Sequence, residues 1–260
     1  MFSIIFLDLD GTLLRSDKTI SPRTRAALER CRERGILIAT ATARSTQRLR
    51  QVLGDVKADL YLSNNGALVT MGDRTLFQEC FGPEELRRML DRAVELTGGA
   101  DVTVNMPECN YWAWKSDPAA TELLGEGGWH EKDYRELTGG AFKFCVSTAD
   151  LTLAEAIRTE GEDCLALPYS DIPWYQFTKK AATKGNAVRR IGEALGIPRE
   201  EMLGFGDDWP DLDLLRACGT GVAMGNAIPE VKAAADYVTA SNDEDGIAVW
   251  LEENVLHKGK

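Results

Sequence analysis

The chain has 260 residues, a length that fits one large domain or two modest ones. Apolar residues make up 44% and charged residues 27% of the sequence, which argues against a disordered or collagen-like chain. Because 41 acidic residues stand against 30 basic ones, the formal net charge is −11, and the field of the whole molecule repels nucleic acid and anionic membranes. A small anionic substrate remains compatible with this charge, since a metal ion or a basic side chain can reverse the local field.

Two further features of the composition predict a cytoplasmic protein. The six cysteines form no CxxC pair, which argues against a zinc ribbon or a thioredoxin-like motif and favours buried, reduced thiols. The apolar run at the N-terminus is short and lacks a basic region before it, and no segment approaches the length of a membrane span. The sequence has only two histidines, His130 and His257, which argues against catalysis by histidine.

The first 80 residues alternate between strand and helix patterns. The first apolar run predicts a strand over residues 3–9, and further buried strands are expected over 36–41 and 59–63. A helix over 23–34 lies between the first two, with Ser21 as its N-cap, Pro22 in its first turn and Gly35 at its end. Strands separated by helices are typical of a parallel sheet in an α/β fold.

Residues 81–180 follow a different pattern. A helix is predicted over 83–96, followed by strand-like pieces at 102–104, 111–114 and 142–144, an α+β arrangement. This stretch also holds 12 of the 20 aromatic residues, which favours the core of a small domain over a stacking platform for a ring-shaped substrate. We therefore interpret it as a second domain inserted into the first.

The end of the chain returns to alternating strands and helices. Strands are predicted at 202–206, 221–224 and 237–240, and helices at 184–195, 212–218 and 246–254. Both ends of the chain therefore belong to one sheet domain, with the inserted domain between them.

The first strand runs directly into two carboxylates, Asp8 and Asp10. Two residues apart on an extended chain, they project to the same side, at the carboxyl end of a strand where open α/β sheets place their sites. Metal-assisted phosphoryl transfer uses such a pair, with one carboxylate as the nucleophile and the other as acid and base. A calcium-type loop and a helix cap are the alternatives for this motif alone.

A second acidic cluster, GDDWPD at residues 206–211, also follows a predicted strand and precedes a helix. Carboxylates at two strand ends of one parallel sheet can share a metal ion. Asp211 could instead be only the N-cap of the following helix, and Asp208 could be only solvated. The same structural interpretation, as a helix cap or a solvated residue, fits Asp207 poorly.

These motifs resemble those of the haloacid dehalogenase superfamily of phosphatases, specifically its Cof-type members with a IIB cap. The matching segments are DLDGTLL at 8–14, TATAR at 40–44, NNGA at 64–67, KG at 184–185, GDDWPD at 206–211, GVAMGNA at 221–227 and DG at 245–246. The resemblance implies a Rossmann-like core, residues 1–80 and 183–260, with helices on both faces of its sheet. It also implies an inserted α+β cap, residues 81–182, that acts as a lid and selects the substrate.

The resemblance also implies roles for individual residues. Asp8 would be the nucleophile and Asp10 the general acid and base. The phosphate would be held by Thr42, Ala43, Lys184 and Arg44, although Arg44 could equally be a structural ion-pair partner. Mg²⁺ would be bound by Asp8, the carbonyl of Asp10, Asp207 and Asp211, with Asp208 as the alternative to Asp211 in its outer shell.

Three positions depart from the family pattern. Ala43 stands where glycine is usual, so we expect a negative φ there. Pro210 stands where asparagine is common, which removes a side-chain amide and an N–H group. Asp208 replaces a common glycine.

The sequence therefore predicts a Mg²⁺-dependent phosphatase of small metabolites, such as sugar phosphates or cofactor phosphates, working through an aspartyl phosphate. The predicted partners are the phosphorylated metabolite and no nucleic acid or membrane, and the protein is expected to be a monomer or small homo-oligomer. Two alternatives remain open at this point: a sugar phosphomutase or phosphotransferase of the same superfamily, and a non-catalytic protein that binds a phosphometabolite.

Overall fold

The computed structural model describes residues 1–54, 56–116, 129–169 and 172–257. The chain divides into two compact units. The core unit comprises residues 1–77 and 183–260, and the inserted unit comprises residues 78–182.

The bounds of the secondary structure elements are as follows. The strands are β1 Ile4–Asp8, β2 Leu37–Ala41, β3 Leu60–Ser63, β4 Leu68–Met71, β5 Arg74–Gln78, β6 Val102–Asn105, β7 Asn110–Trp114, β8 Trp129–Glu131, β9 Lys143–Val146, β10 Cys164–Pro168, β11 Tyr175–Lys179, β12 Met202–Gly206, β13 Thr220–Ala223 and β14 Tyr237–Val238. The helices are α1 Pro22–Glu33, α2 Thr46–Leu53, α3 Pro83–Thr97, α4 Leu151–Arg158, α5 Lys184–Leu195, α6 Leu212–Ala217, α7 Pro229–Ala234 and α8 Gly246–Leu251.

The core unit is built on an eight-stranded sheet in the order β14-β13-β12-β1-β2-β3-β4-β5. The strands from β14 to β3 are all parallel, which confirms the predicted parallel α/β sheet. The pair β3 and β4 is antiparallel, which the sequence pattern does not predict. Its cause is the short connection over residues 64–67, because a parallel pair needs a crossover of a dozen residues or more.

Every residue of β1 is buried, so the strand lies at the centre of the apolar core. Helix α1 begins as its sequence predicts, since the Ser21 hydroxyl accepts a hydrogen bond from the amide of Thr24 and Pro22 occupies the first turn. Ala27, Leu28 and Cys31 bury one side of α1, and the other side stays exposed. Burial of apolar surface on such a stripe stabilises the helix more than its intrinsic propensity does.

The inserted unit holds a six-stranded sheet in the order β10-β11-β9-β6-β7-β8. Its pairs are antiparallel except β7 with β8, which is parallel. One face of this sheet carries apolar residues that share a core with α3 and α4. Phe144 and Phe177 stack there with ring centroids 4.6 Å apart, so these aromatic residues serve as core.

All six cysteines carry free thiols, and four of them are buried. None of the helices described here is both long enough and apolar enough to span a bilayer.

Candidate active site

Two neighbouring strands of the core sheet end in carboxylates. β1 ends at Asp8, and Asp207 directly follows the last residue of β12. The parallel register pairs Leu7 with Phe205, so the two strand ends lie level with each other. The chain turns back sharply after β1, because the amide of Leu13 donates a 3.1 Å hydrogen bond to the carbonyl of Asp8.

The side chains at these strand ends converge on one lysine. Carboxylate oxygens of Asp8, Asp207 and Asp211 lie within 4.8 Å of one another. The Nζ of Lys184 donates hydrogen bonds of 2.6 Å to Oδ1 of Asp8 and of 2.6 Å to Oδ1 of Asp211. Lys184 is 2% exposed and Asp211 is 1% exposed, so water screens these charges weakly. We call these four residues the acidic cluster.

The start of α5 places Lys184 in the acidic cluster. Thr183 is the N-cap of this helix, since its hydroxyl accepts a hydrogen bond from the amide of Asn186. Gly185 follows, and a Cβ there would lie 2.4 Å from the carbonyl oxygen of Asp213. The glycine is therefore required for the close approach of α5 to α6, which fixes where the lysine side chain begins.

The acidic cluster carries more negative than positive charge. Burial, and then the charge of Asp211, raise the pKa of Asp8 above its usual value, although Lys184 opposes the shift. Burial also raises the pKa of Asp207 to about 6, with a further contribution from Asp211 and in spite of a hydrogen bond from the hydroxyl of Thr12. Three ionised carboxylates and one ammonium leave two negative charges, so the donor set fits a divalent cation with oxygen ligands.

Asp211 is the best satisfied carboxylate of the cluster. Its Oδ2 accepts hydrogen bonds from the amides of Asp207 (3.0 Å) and Asp208 (3.1 Å), while its Oδ1 accepts from Lys184. Its side chain makes no capping hydrogen bond to α6 but accepts the amide of Asp208 in the capping box of the turn 209–211. Because it also accepts from Lys184, Asp211 does more than cap a helix. Asp208 is exposed and accepts a hydrogen bond from the amide of Trp209, as expected of a solvated turn residue.

The side chain of Asp10 lies outside the acidic cluster and pairs with two basic residues. Arg44 donates from Nε (2.6 Å) and Nη2 (2.7 Å), and the Nζ of Lys18 donates at 2.9 Å. Burial alone would raise the pKa of Asp10, but the hydrogen bonds from Arg44 and Lys18 outweigh it and lower the pKa to about 2. The sequence predicts Arg44 as a site residue but not Lys18, because no recognisable motif marks the position ten residues after Asp8.

The segment after β2 is tied to the start of α5. The hydroxyl of Thr42 accepts a hydrogen bond from the amide of Arg44, and the carbonyl of Thr42 accepts one from the amide of Asn65. Gly66, with φ +90°, passes so close to α5 that a Cβ would lie 2.5 Å from the carbonyl oxygen of Thr183. The TATAR and NNGA segments therefore adjoin the helix that carries Lys184.

Ala43 lies in the bend between Thr42 and Arg44 and is exposed. Its φ is not positive, as expected for an alanine at this position.

Gly11, in the turn after β1, packs against Asp207 beside the hydrogen bond from the hydroxyl of Thr12. Its φ is +81°, and a Cβ there would lie 2.2 Å from Oδ2 of Asp207. We expect Gly11→Ala to lower the free energy of unfolding by about 2 kcal/mol more than Gly35→Ala, from overpacking against a buried group. Gly35 is a matched control, because its φ is +79° and nothing lies within 4 Å of its missing Cβ. Urea denaturation of the two variants measures the difference, and equal losses would contradict a role in positioning Asp207.

Asp207 gives a prediction about stability and pH in the metal-free protein. Its folded-state pKa of about 6 lies above its unfolded value of about 4. Above pH 6 the carboxylate is ionised in both states and the folded state is penalised by about 3 kcal/mol; the penalty fades as the pH falls from 6 to 4. We therefore expect Asp207→Asn to stabilise the protein at pH 8 in EDTA and to have no effect near pH 4.

Urea denaturation at the two pH values checks this expectation. An equal effect of Asp207→Asn at pH 8 and pH 4 would show that charge repulsion is not its cause. Adding Mg²⁺ at pH 8 provides a second comparison, since the native carboxylate should then gain more stability than the amide does.

Comparison with known protein families, sequences and structures gives matches over nearly the whole chain. The family model for haloacid dehalogenase-like hydrolases matches residues 5–251. The 5-amino-6-(5-phospho-D-ribitylamino)uracil phosphatase YitU of Bacillus subtilis is 28% identical to the chain over 279 residues, covering 96% of each protein. A haloacid dehalogenase-like hydrolase from Bacteroides thetaiotaomicron has a TM-score of 0.82 at 27% identity, covering 97% of this chain and 99% of that one.

A third match concerns the fold alone. The subclass IIB sugar phosphatase BT4131 of the same superfamily has a TM-score of 0.79 at 24% identity, covering 96% of this chain and 98% of its own. The match extends over the inserted unit as well as the core unit.

Proposed function

Because the chain belongs to the haloacid dehalogenase-like hydrolases, we propose that it is a Mg²⁺-dependent phosphatase of small phosphorylated metabolites. The observation that carries this proposal is the acidic cluster, in which two buried hydrogen bonds of 2.6 Å join Lys184 to Asp8 and Asp211. A buried lysine between carboxylates at the carboxyl ends of parallel strands is suited to binding and transferring a phosphoryl group.

In this proposal Asp8 is the nucleophile. Lys184 binds Oδ1 of Asp8, so Oδ2 is the oxygen that attacks phosphorus. The P–O bond to the leaving alcohol breaks as the bond from Oδ2 to phosphorus forms, which gives an aspartyl phosphate. The ammonium of Lys184 opposes the negative charge that collects on the phosphoryl oxygens.

Asp8 and Asp207, together with the carbonyl of Asp10, are the proposed ligands of Mg²⁺. When bound, the ion neutralises charge on the transferring phosphoryl group and on the crowded carboxylates. Asp211 has a different role, since its two oxygens already accept three hydrogen bonds and fix the turn that presents Asp207.

Asp10 is the proposed general acid and base. Its ion pairs with Arg44 and Lys18 keep it ionised, which is the form that accepts a proton from the water attacking the aspartyl phosphate. To protonate the leaving alcohol in the first step, Asp10 must separate from these partners and take up a proton from solvent; it then regains a proton from the attacking water in the second step. We therefore assign Arg44 to positioning Asp10, and the hydroxyl of Thr42 with the amide of Ala43 to binding the phosphate.

A curated relative supports a proposal for the substrate class. YitU is named as a phosphatase of a phosphorylated ribitylamino-uracil. We propose that this chain likewise hydrolyses a sugar phosphate or a cofactor phosphate, and that the inserted unit carries the residues that select it.

The test is hydrolysis of p-nitrophenyl phosphate and of a panel of sugar, nucleotide and cofactor phosphates, measured as inorganic phosphate released. We expect release that EDTA abolishes and Mg²⁺ restores. Phosphate release that EDTA leaves unchanged would contradict the metal site. Conversion of a sugar phosphate to its isomer without phosphate release would indicate a mutase instead.

A further inference from the structure

An arginine-lined cavity lies in the core unit, at the end of β12 away from the acidic cluster. The cavity measures about 450 Å³ and is formed by the end of α5, the turn before β12 and the end of α6. Met202, the first residue of β12, lines it, whereas the acidic cluster follows Gly206, the last. At about 3.3 Å per residue, the two ends of this strand are about 13 Å apart.

Three arginines line this cavity, Arg189, Arg199 and Arg216. Within the described part of the chain none of them forms an ion pair with a carboxylate, although acidic residues outnumber basic ones in this protein. Arg199 donates from Nη2 to the carbonyl of Arg216 at 3.2 Å, a contact that leaves its positive charge unneutralised. The one carboxylate that lines the cavity belongs to Glu193. The local charge is therefore positive in a strongly negative protein.

The floor of the cavity is apolar. Met202 and Ala217 are buried there, and Ile197 and Pro198 complete the lining. Gly192 allows this packing, since a Cβ at that position would lie 2.1 Å from Cε of Met202. Gly196 ends α5 with φ +67°, and nothing lies within 4 Å of the place where its Cβ would be, so the entrance stays open.

We propose that this cavity binds a small organic anion, an oxyanion group attached to an apolar body. Guanidinium groups present paired N–H donors that match carboxylate, sulfonate and phosphate oxygens, and an apolar floor favours a hydrocarbon or ring portion. The volume falls in the range of sites that hold small molecules. The cavity uses no residue of the acidic cluster, so this inference is independent of the proposed phosphatase activity.

The probe for this site is 8-anilinonaphthalene-1-sulfonate, which joins an anionic sulfonate to apolar rings and fluoresces when bound. The titration is done in EDTA, because the metal-free acidic cluster is negative and repels the sulfonate. We expect saturable binding of one probe molecule per chain. The neutral analogue N-phenyl-1-naphthylamine should bind about tenfold more weakly, since it lacks the group that the arginines recognise.

Variants locate the binding. Arg199→Gln combined with Arg216→Gln should weaken binding of the sulfonate about tenfold or more, because two charge-assisted hydrogen bonds are lost. Arg74→Gln is the matched control, since Arg74 is an exposed arginine of β5 outside the cavity, and it should leave the affinity unchanged. Equal affinity in the double variant and the native protein, or equal affinity for the neutral analogue, would overturn the proposal.

A measurement on the native protein removes the dependence on variants. Phenylglyoxal modifies accessible arginines, and peptide mass mapping reports which ones react. Saturating sulfonate probe should protect Arg199 and Arg216 and leave Arg74 reactive. Unchanged modification of Arg199 and Arg216 would contradict the proposal.

Hydrolysis of p-nitrophenyl phosphate by the variant with both Arg199→Gln and Arg216→Gln should match the native rate. Failure of the anion-site proposal can therefore be told from failure of the proposed phosphatase activity.

Discussion

Asp8→Asn should abolish the hydrolysis of p-nitrophenyl phosphate, with a loss of at least about 10⁴-fold in kcat. The amide has the shape of the carboxylate but lacks the anionic oxygen that attacks phosphorus. The substitution should not unfold the protein, because burial and the nearby Asp211 already penalise the ionised form of Asp8. Steady-state kinetics with Mg²⁺ present measure the loss, and thermal unfolding confirms that the variant is folded.

Asp208→Asn is the matched control for this experiment. It makes the same chemical change on the acidic segment 207–211, at an exposed side chain whose hydrogen bonds cap its own turn, residues 209–211. We expect it to keep activity within about threefold of the native protein, as a surface substitution outside the cluster should. EDTA-sensitive hydrolysis by Asp8→Asn at a rate near the native one would refute the proposed nucleophile.

The positions of the strand ends could be predicted from the sequence because parallel sheets are repetitive. Short apolar runs separated by helical patterns set the strand count and direction, and the carboxyl ends of parallel strands lie at one edge. Asp8 and Asp207 are each fixed by a strand that ends at or just before them, so their proximity follows from the backbone alone. Strands β4 and β5 could not be predicted from this pattern, because β4 follows β3 with no helix between them and three of the five residues of β5 are exposed.

The side-chain pairings could not be predicted in the same way. Asp8 ends β1 and Asp10 follows two residues later, yet one pairs with Lys184 and the other with Arg44 and Lys18. That choice depends on rotamers and on residues that approach from distant parts of the chain. The carboxylate of Asp211 posed the same problem, since it could reach the start of α6 or the amides before it, and the approach of Lys184 favours the second arrangement.

Asp10→Asn should separate the two halves of the reaction. With p-nitrophenyl phosphate we expect a burst of p-nitrophenol close to one equivalent of enzyme, followed by turnover about 10²- to 10⁴-fold slower than native. The burst survives because Asp8 is intact and p-nitrophenolate departs without a proton. The slow phase reflects water that attacks the aspartyl phosphate without a base. Stopped-flow absorbance measures both phases, and intact-protein mass spectrometry detects the trapped phosphoryl group.

An alkyl phosphate extends this test to the acid role of Asp10. Its alkoxide leaving group needs a proton, so Asp10→Asn should give no burst with it and should accumulate no phosphorylated protein. Lys18→Gln is the comparison, because it removes one exposed partner of Asp10 and leaves Arg44 in place, and it should keep both the burst and turnover. If Asp10→Asn turned over both substrates at native rates, the acid and base would have to be sought elsewhere. If Asp10→Asn blocked the burst with p-nitrophenyl phosphate, Asp10 would be needed for the attack on phosphorus itself. Its contacts with Arg44 and Lys18 would then serve to position the segment that carries Asp8, and not to control proton transfer.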